Sequence, residues 1–282
     1  MEPSGPASRE DILARIKAFP LGQSPDEMRE NFRHRVLGTS AGLDDATRSF
    51  RPETGGGNLP RIIWFHGGGY VFGGPDTHAG IARYISDTHG FVVHLPHYPL
   101  APDHQWPAQL DAALAAVPSG PAPILAGDNA GGHLALVTAL DLARKGRPVA
   151  GLLLFSPNTD RSGLSKTRAQ ADKDAPDFDD RCDKYLAKLC FGDRSTTDPQ
   201  VSPLLDDLSL LPPTWIEVGA HEVLLDDSRL LFARAEEAGA DIHLTVTENL
   251  MHMAQIWAPD WAAATESLDR AAEFAKSLTP QD

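Results

Sequence analysis

The sequence predicts an α/β fold, a mostly parallel sheet with helices on both of its faces. Three observations carry that expectation. Short apolar runs recur at 62–65, 91–95, 124–126, 152–155, 215–218 and 242–246, each long enough for a strand. Helical segments lie between them, near 76–88, 107–117, 130–145, 181–190, 224–238 and 260–277. Strands that are apolar along their length and separated by helices belong to a parallel sheet covered on both faces. Two glycine-rich turns, at 66–70 and 127–132, each follow one of these runs. The C-terminal ends of the strands are where such a sheet places its site.

The flanking elements follow in chain order. Residues 8–19 read as an amphipathic helix with Ile12, Leu13, Ile16 and Phe19 on one side. Residues 25–34 read as a second helix, with Ser24 as its N-cap and Pro25 in its first position. Two early strands are expected around 33–37 and 46–51, the latter ended by Pro52 and the turn Gly55-Gly56-Gly57-Asn58. The interval 161–203 is polar and rich in Asp, with one helix, and interrupts the strand pattern. It is a candidate cap over the site, together with residues 1–32. The Pro/Gly-rich piece 117–123 is a short connector, so 1–282 reads as a single domain.

At 41% hydrophobic and 23% charged, 282 residues suffice for one large core. A net charge of −14 argues against nucleic acid and anionic membranes as partners; its plain reading is solubility. Cys182 and Cys190 stand eight residues apart, about 12 Å along a helix and beyond disulfide reach. The N-terminus has no basic and apolar leader pattern, and no apolar run is long enough to span a bilayer. A cytoplasmic protein is the expectation. Without a G-x-G-x-x-G turn, a Walker loop or a ligand cluster, no organic cofactor or metal is implied. His94 and His97 make only a weak pair with no further ligands.

The most informative stretch is Gly127-Asp128-Asn129-Ala130-Gly131-Gly132, between the strand 124–126 and the helix from His133. That is the setting of a nucleophile elbow, in which a strained turn pushes one side chain into a cleft. The central residue of such an elbow is serine. Here it is Asn129, whose amide is a poor nucleophile. His66-Gly67-Gly68-Gly69-Tyr70 follows the strand 62–65. Three glycines in a row are often only a turn, but sixty residues ahead of an elbow they suit an oxyanion hole, with N–H donors from Gly67, Gly68 and Ala130. After the strand 215–218 come Glu222, Asp226 and Asp227. An acid here can orient an imidazole. The two aspartates equally suit the start of the next helix, and Glu222 lies nearest the strand end. His252 falls just past the last strand, where the chain order nucleophile–acid–histidine expects its base.

Together these motifs resemble the hormone-sensitive-lipase-like family of α/β-hydrolases, with bacterial carboxylesterases and ε-lactone hydrolases as the nearest look-alikes. The family's oxyanion motif matches 66–70, its elbow matches 127–132 in all but the serine, its acid motif matches Glu222-Val223-Leu224, and its histidine motif matches Met251-His252. Leu100-Ala101-Pro102-Asp103-His104, Leu154-Phe155-Ser156-Pro157 and Val201-Ser202-Pro203-Leu204 are similar to further family phrases. The resemblance runs from about residue 60 to the C-terminus and implies an α/β-hydrolase fold with a small helical cap. It departs from the family at Asn129, at His97-Tyr98-Pro99 in place of Asp-Tyr-Arg, and at Asn158 in place of a tryptophan.

Three functions stay open on these residues. The first is an ester or lactone hydrolase whose acyl-enzyme chemistry is lost or very weak without the serine. The second is a non-hydrolytic enzyme, a lyase, dehydratase, isomerase or cyclase, with His252 and Glu222 as general base opposite the oxyanion hole. The third is a small-molecule binding protein. The expected partner is a small apolar carbonyl compound. Phe19, Phe32, Phe178, Tyr185, Leu186 and Leu189 suggest an apolar pocket, or serve as ordinary packing. The helix near 260–277 offers a surface for a homodimer, as in related esterases.

Overall fold

The structure, a computed structural model, describes residues 5–39, 46–53, 59–169 and 178–279. Two helices open it. In α1 (Arg9–Ala18), Ser8 caps the first turn by accepting from the Asp11 N–H at 3.1 Å. In α2 (Pro25–Leu37), Ser24 and Glu27 form a reciprocal capping box and Pro25 takes the first position. The strand expected at 33–37 is absent: those residues are the last turns of α2. The reason is tertiary. Arg29 and Arg33 lie one helical turn apart on one face. Arg29 donates to the carbonyls of Val71 (3.0 Å) and Ala101 (2.9 Å), and Arg33 forms a buried ion pair with Asp76. Four apart on the helix, the two share one face and both reach the segment 71–101.

The sheet has seven strands: β1 (Arg48–Phe50), β2 (Arg61–Phe65), β3 (Val92–Leu95), β4 (Ile124–Asp128), β5 (Gly151–Phe155), β6 (Thr214–Gly219) and β7 (Ile242–Thr247). Their spatial order is β1-β3-β2-β4-β5-β6-β7. All pairs are parallel except the edge pair β1/β3. The strand expected at 46–51 is β1, and the turn proposed at 55–58 lies outside the described residues. The intervening helices are α3 (Ala79–His89), α4 (Ala108–Ala116), α5 (Ala130–Arg144), α6 (Asp180–Phe191), α7 (Leu225–Glu237) and α8 (Ala262–Ser277). Helix α3 packs with α8, and α4 with α5, one pair on each face. β4, β5 and β6 are buried at every position, as the unbroken apolar runs require. The apolar face of α8, through Leu268, Ala271 and Ala275, is spent on this core.

The strand order fixes the site. From β2 the chain steps to β3 on one side, then crosses to β4 on the other. The reversal opens a crevice past the C-terminal ends of β2 and β4. Phe65 pairs in register with Gly127, so the loop after β2 and the turn after β4 emerge side by side.

Candidate active site

Asn129 sits between β4 and α5 with φ 51° and ψ −116°. A non-glycine residue there is strained, and such strain persists only where the surroundings hold it. The Asn129 N–H donates to the Phe155 carbonyl at 3.0 Å, and its own carbonyl accepts from His133 (3.1 Å) and Asn158 (3.2 Å). The turn also needs its glycines. A Cβ on Gly131 would stand 2.0 Å from the Phe65 carbonyl oxygen, and one on Gly127 2.4 Å from the Gly131 backbone. No side chain fits at either position, so the elbow closes against β2 only with glycine there.

The elbow aims Asn129 at His252. Asn129 Nδ2 donates to His252 Nε2 at 3.0 Å, and His252 Nδ1 donates to Glu222 Oε2 at 2.8 Å. The second carboxylate oxygen, Oε1, accepts from the Gly219 N–H (2.7 Å) and the Ser156 hydroxyl (2.8 Å). Every partner in this chain is satisfied, and the tautomer follows from it. With its Nδ1 proton on Glu222, His252 presents a lone pair at Nε2. The ring is clamped from one side by Phe178, stacked at 4.4 Å and 10°. Asp226 and Asp227 lie elsewhere. Asp226 accepts from the Lys166 and Thr167 N–H groups, and Asp227 pairs with Arg168. Glu222 is therefore the acid that reaches the imidazole.

The glycine loop faces the same point, one residue further along than the sequence suggested. The Gly67 N–H turns inward to Asp128 Oδ1 (3.2 Å) and His78 Nε2 (3.3 Å), so it is not directed at the cleft. This corrects the expectation that Gly67 donates there. Asp128 is buried; His78 and the Trp64 indole outweigh the burial penalty and hold its carboxyl below the usual range, ready to accept the Gly67 N–H. Gly68 and Gly69 line the cleft, and the Gly69 N–H donates to Asn129 Oδ1 at 3.3 Å. Ala130 opens α5, where a first-turn N–H has no intrahelical acceptor. Beneath the loop, Tyr98 stacks on His66 at 4.1 Å and donates to its carbonyl at 2.6 Å. Burial, then the neighbouring His78, pushes the His66 imidazole down to about 3, so it stays neutral.

The cleft encloses about 600 Å³ of atom-free space, its open mouth included. Its walls are apolar: Ile16 and Leu21 near α1, Phe32 on α2, Phe178 and Leu186 around α6, and Trp257 past β7. Of the six apolar residues proposed for a pocket, Phe32, Phe178 and Leu186 line it; Phe19, Tyr185 and Leu189 do not. Behind α6 lies a buried charge network. Arg168 pairs with Asp183 (2.8 Å) and Asp227 (2.6 Å) and donates to Asn158 Oδ1, while Asn158 donates to Asp183. Asn158, a departure from the family pattern, is thus a fully used bridge. The contributions of Gly69, Ser156 and the Phe178 stack were missed in the sequence. Gly69 was signalled by the same glycine run. Ser156 takes φ 43° in a phrase noted only for its resemblance.

Comparison with known proteins agrees with this geometry. The family described as alpha/beta hydrolase fold matches residues 62–256. An esterase of Acinetobacter venetianus is 34% identical over 227 residues, covering 77% of this chain and 75% of its own. The carboxylesterase NlhH of Mycobacterium tuberculosis is 32% identical over 259 residues, covering 85% and 81%. Among solved structures, an esterase from the bacterial hormone-sensitive lipase family superposes with a TM-score of 0.85 at 28% identity, covering 96% of this chain and 97% of that one. The chain belongs to the α/β-hydrolase family, in its hormone-sensitive-lipase-like branch. It is a carboxylesterase-type scaffold in which Asn129 occupies the nucleophile position beside His252 and Glu222.

Proposed function

We propose that this site acts on a small apolar ester or lactone, with His252 as general base, Glu222 as the group that orients it, and the N–H groups of Gly68, Gly69 and Ala130 as oxyanion donors. The unbroken chain Asn129–His252–Glu222, at 3.0 and 2.8 Å, carries the reading. Serine at 129 would attack the carbonyl and pass its proton to His252. The amide has no proton to give up at neutral pH, so no acyl-enzyme forms. What stays available is attack by a water that His252 deprotonates, with the oxyanion held by the loop. The apolar walls of the cleft support a short acyl chain or ring as the substrate's body.

One observation supports a second reading, proton abstraction next to a carbonyl. His252 lines the cleft with Glu222 behind it, so Nε2, which accepts from Asn129 Nδ2, is placed to serve as the base of an isomerase, lyase or dehydratase step once a substrate displaces that contact. A receptor has no use for that couple. The cap in this reading comprises residues 1–32, extended by the rest of α2, and 161–203. We place the protein in the cytoplasm, on two cysteines of which neither is in a disulfide. No helix among the described residues is long and apolar enough to cross a membrane.

Hydrolysis of a short-chain p-nitrophenyl ester by the chain and by Asn129→Ser, side by side, tests the hydrolytic reading. A large gain with serine supports it. No gain from a folded Asn129→Ser overturns it in favour of the proton-abstraction reading.

A further inference from the structure

The Asn129 side chain is itself an amide held as a bound substrate would be. Its carbonyl oxygen accepts from the Gly69 N–H at 3.3 Å, on the side of the oxyanion donors. Its nitrogen, the leaving group of an amide hydrolysis, lies 3.0 Å from His252 Nε2. The orientation is fixed by the network. Nδ1 donates to Glu222; on the neutral ring Nε2 then accepts, which turns Asn129 Nδ2 to it and Oδ1 to the loop. Asn129 is buried but lines the cleft, the side from which a water would have to approach its amide carbon.

We propose that Asn129 is a self-modification site: the site hydrolyses the side-chain amide of its own Asn129 and converts it to aspartate. The inference rests on the reading of His252 and Glu222 as a working base. The hydrogen bond from Nδ2 to His252 Nε2 opens, and a water oxygen bonds to Cγ of Asn129 while the freed Nε2 takes one water proton. The carbonyl π pair moves onto Oδ1, held by the Gly69 N–H. The pair returns, the Cγ–Nδ2 bond breaks, and His252 gives its proton to Nδ2, which leaves as ammonia. The former Oδ1 and the water oxygen remain as the carboxyl group. One water is consumed and one ammonia released; nothing is oxidised or reduced. The product places a carboxylate on the elbow, beside His252, in the position of a nucleophile.

The test uses the full chain, incubated near neutral pH in water enriched in the heavy oxygen isotope, with residue 129 read by peptide mass spectrometry. The expected result is α-linked aspartate carrying one heavy oxygen, formed about 100-fold or more slowly in His252→Ala and in Glu222→Gln. Esterase activity of Asn129→Ser is measured in parallel. If Asn129→Ser hydrolyses esters while Asn129 keeps its amide in the unaltered chain, the self-modification is wrong and the site reading stands. If folded Asn129→Ser is inactive and Asn129 keeps its amide, the self-modification and the hydrolytic reading both fall. An isoaspartate mixture forming equally fast in His252→Ala overturns the proposal too, because it marks attack by the Ala130 backbone nitrogen without help from the site.

Discussion

The side-chain amide of Asn129 bridges His252 Nε2, at 3.0 Å, and the Gly69 N–H, at 3.3 Å. One residue thereby engages both the imidazole and a loop N–H that we propose as an oxyanion donor. A serine hydroxyl would engage the base and leave the donor open to the substrate's carbonyl. Asn129 therefore does two things at once. It withholds a nucleophile, and under the proposed reading it competes with a substrate's carbonyl for one of three donors, the Gly69 N–H.

Replacing it should release both. Asn129→Ser is expected to raise kcat/KM for a p-nitrophenyl butyrate by at least about 1,000-fold, in line with the cost of losing a triad serine elsewhere. In that background Ser156→Ala removes a donor to Glu222 and should lower kcat by about tenfold, since a hydrogen bond to a charged group contributes about 1.5–3 kcal/mol. Steady-state rates of the single and double variants decide it.

The elbow should not tolerate a methyl group. Gly131→Ala places Cβ at 2.0 Å from the Phe65 carbonyl oxygen, which is backbone in the middle of the sheet and cannot swing away. A loss of about 3 kcal/mol or more in unfolding free energy is expected, read from urea denaturation. Gly146→Ala is the control. It sits in open space after α5, and only its φ of 69° costs anything.

The charge network under the cap should be intolerant of losing its centre. Arg168→Met leaves Asp183 and Asp227 facing each other in a buried site without their shared cation. The expected cost is about 3–5 kcal/mol, measured by the same denaturation. Burial pushes Asp183 up, but Arg161 and Arg168 beside it prevail and hold it at about 2. Removing Arg168 should raise it.

Stability should fall on mild acidification. Buried His66 has its imidazole lowered from 6.5 to about 3, so between those values the unfolded chain binds a proton that the folded chain refuses. Stability therefore rises with pH across that window and is lost as pH falls through it. From pH 7 to pH 5 the loss from His66 is about 2 kcal/mol. His133, also buried and lowered by burial, adds in the same direction. Asp183 contributes only further down, between its ordinary value near 4 and about 2. Denaturation midpoints measured from pH 7 to pH 4 check the slope; a flat profile above pH 5 contradicts the neutral, buried state of His66.

Much of this was legible in the chain because it is local or periodic. The unbroken apolar runs gave the strands β2 to β7, and the glycines at 127 and 131 marked a turn that tolerates nothing larger. Chain order alone put an acid and a histidine after the last two strands. The strand expected at 33–37 failed because nothing within Arg33-His34-Arg35-Val36-Leu37 distinguishes it from a strand; it continues the helix capped at Ser24, and Asp76, far along the chain, holds Arg33 there. Gly67 and Gly68 could not be ranked against Gly69 by sequence, because consecutive glycines share one composition. Which N–H faces the cleft depends on where Asp128 and His78 stand to claim the first. Glu222 reaches His252 over Asp226 for the same kind of reason. The sequence determined the elements, the elbow and its missing serine; only tertiary structure decided which donors and which acid meet there, because hydrogen bonds across the fold reach about 3 Å and cannot be read from residue spacing.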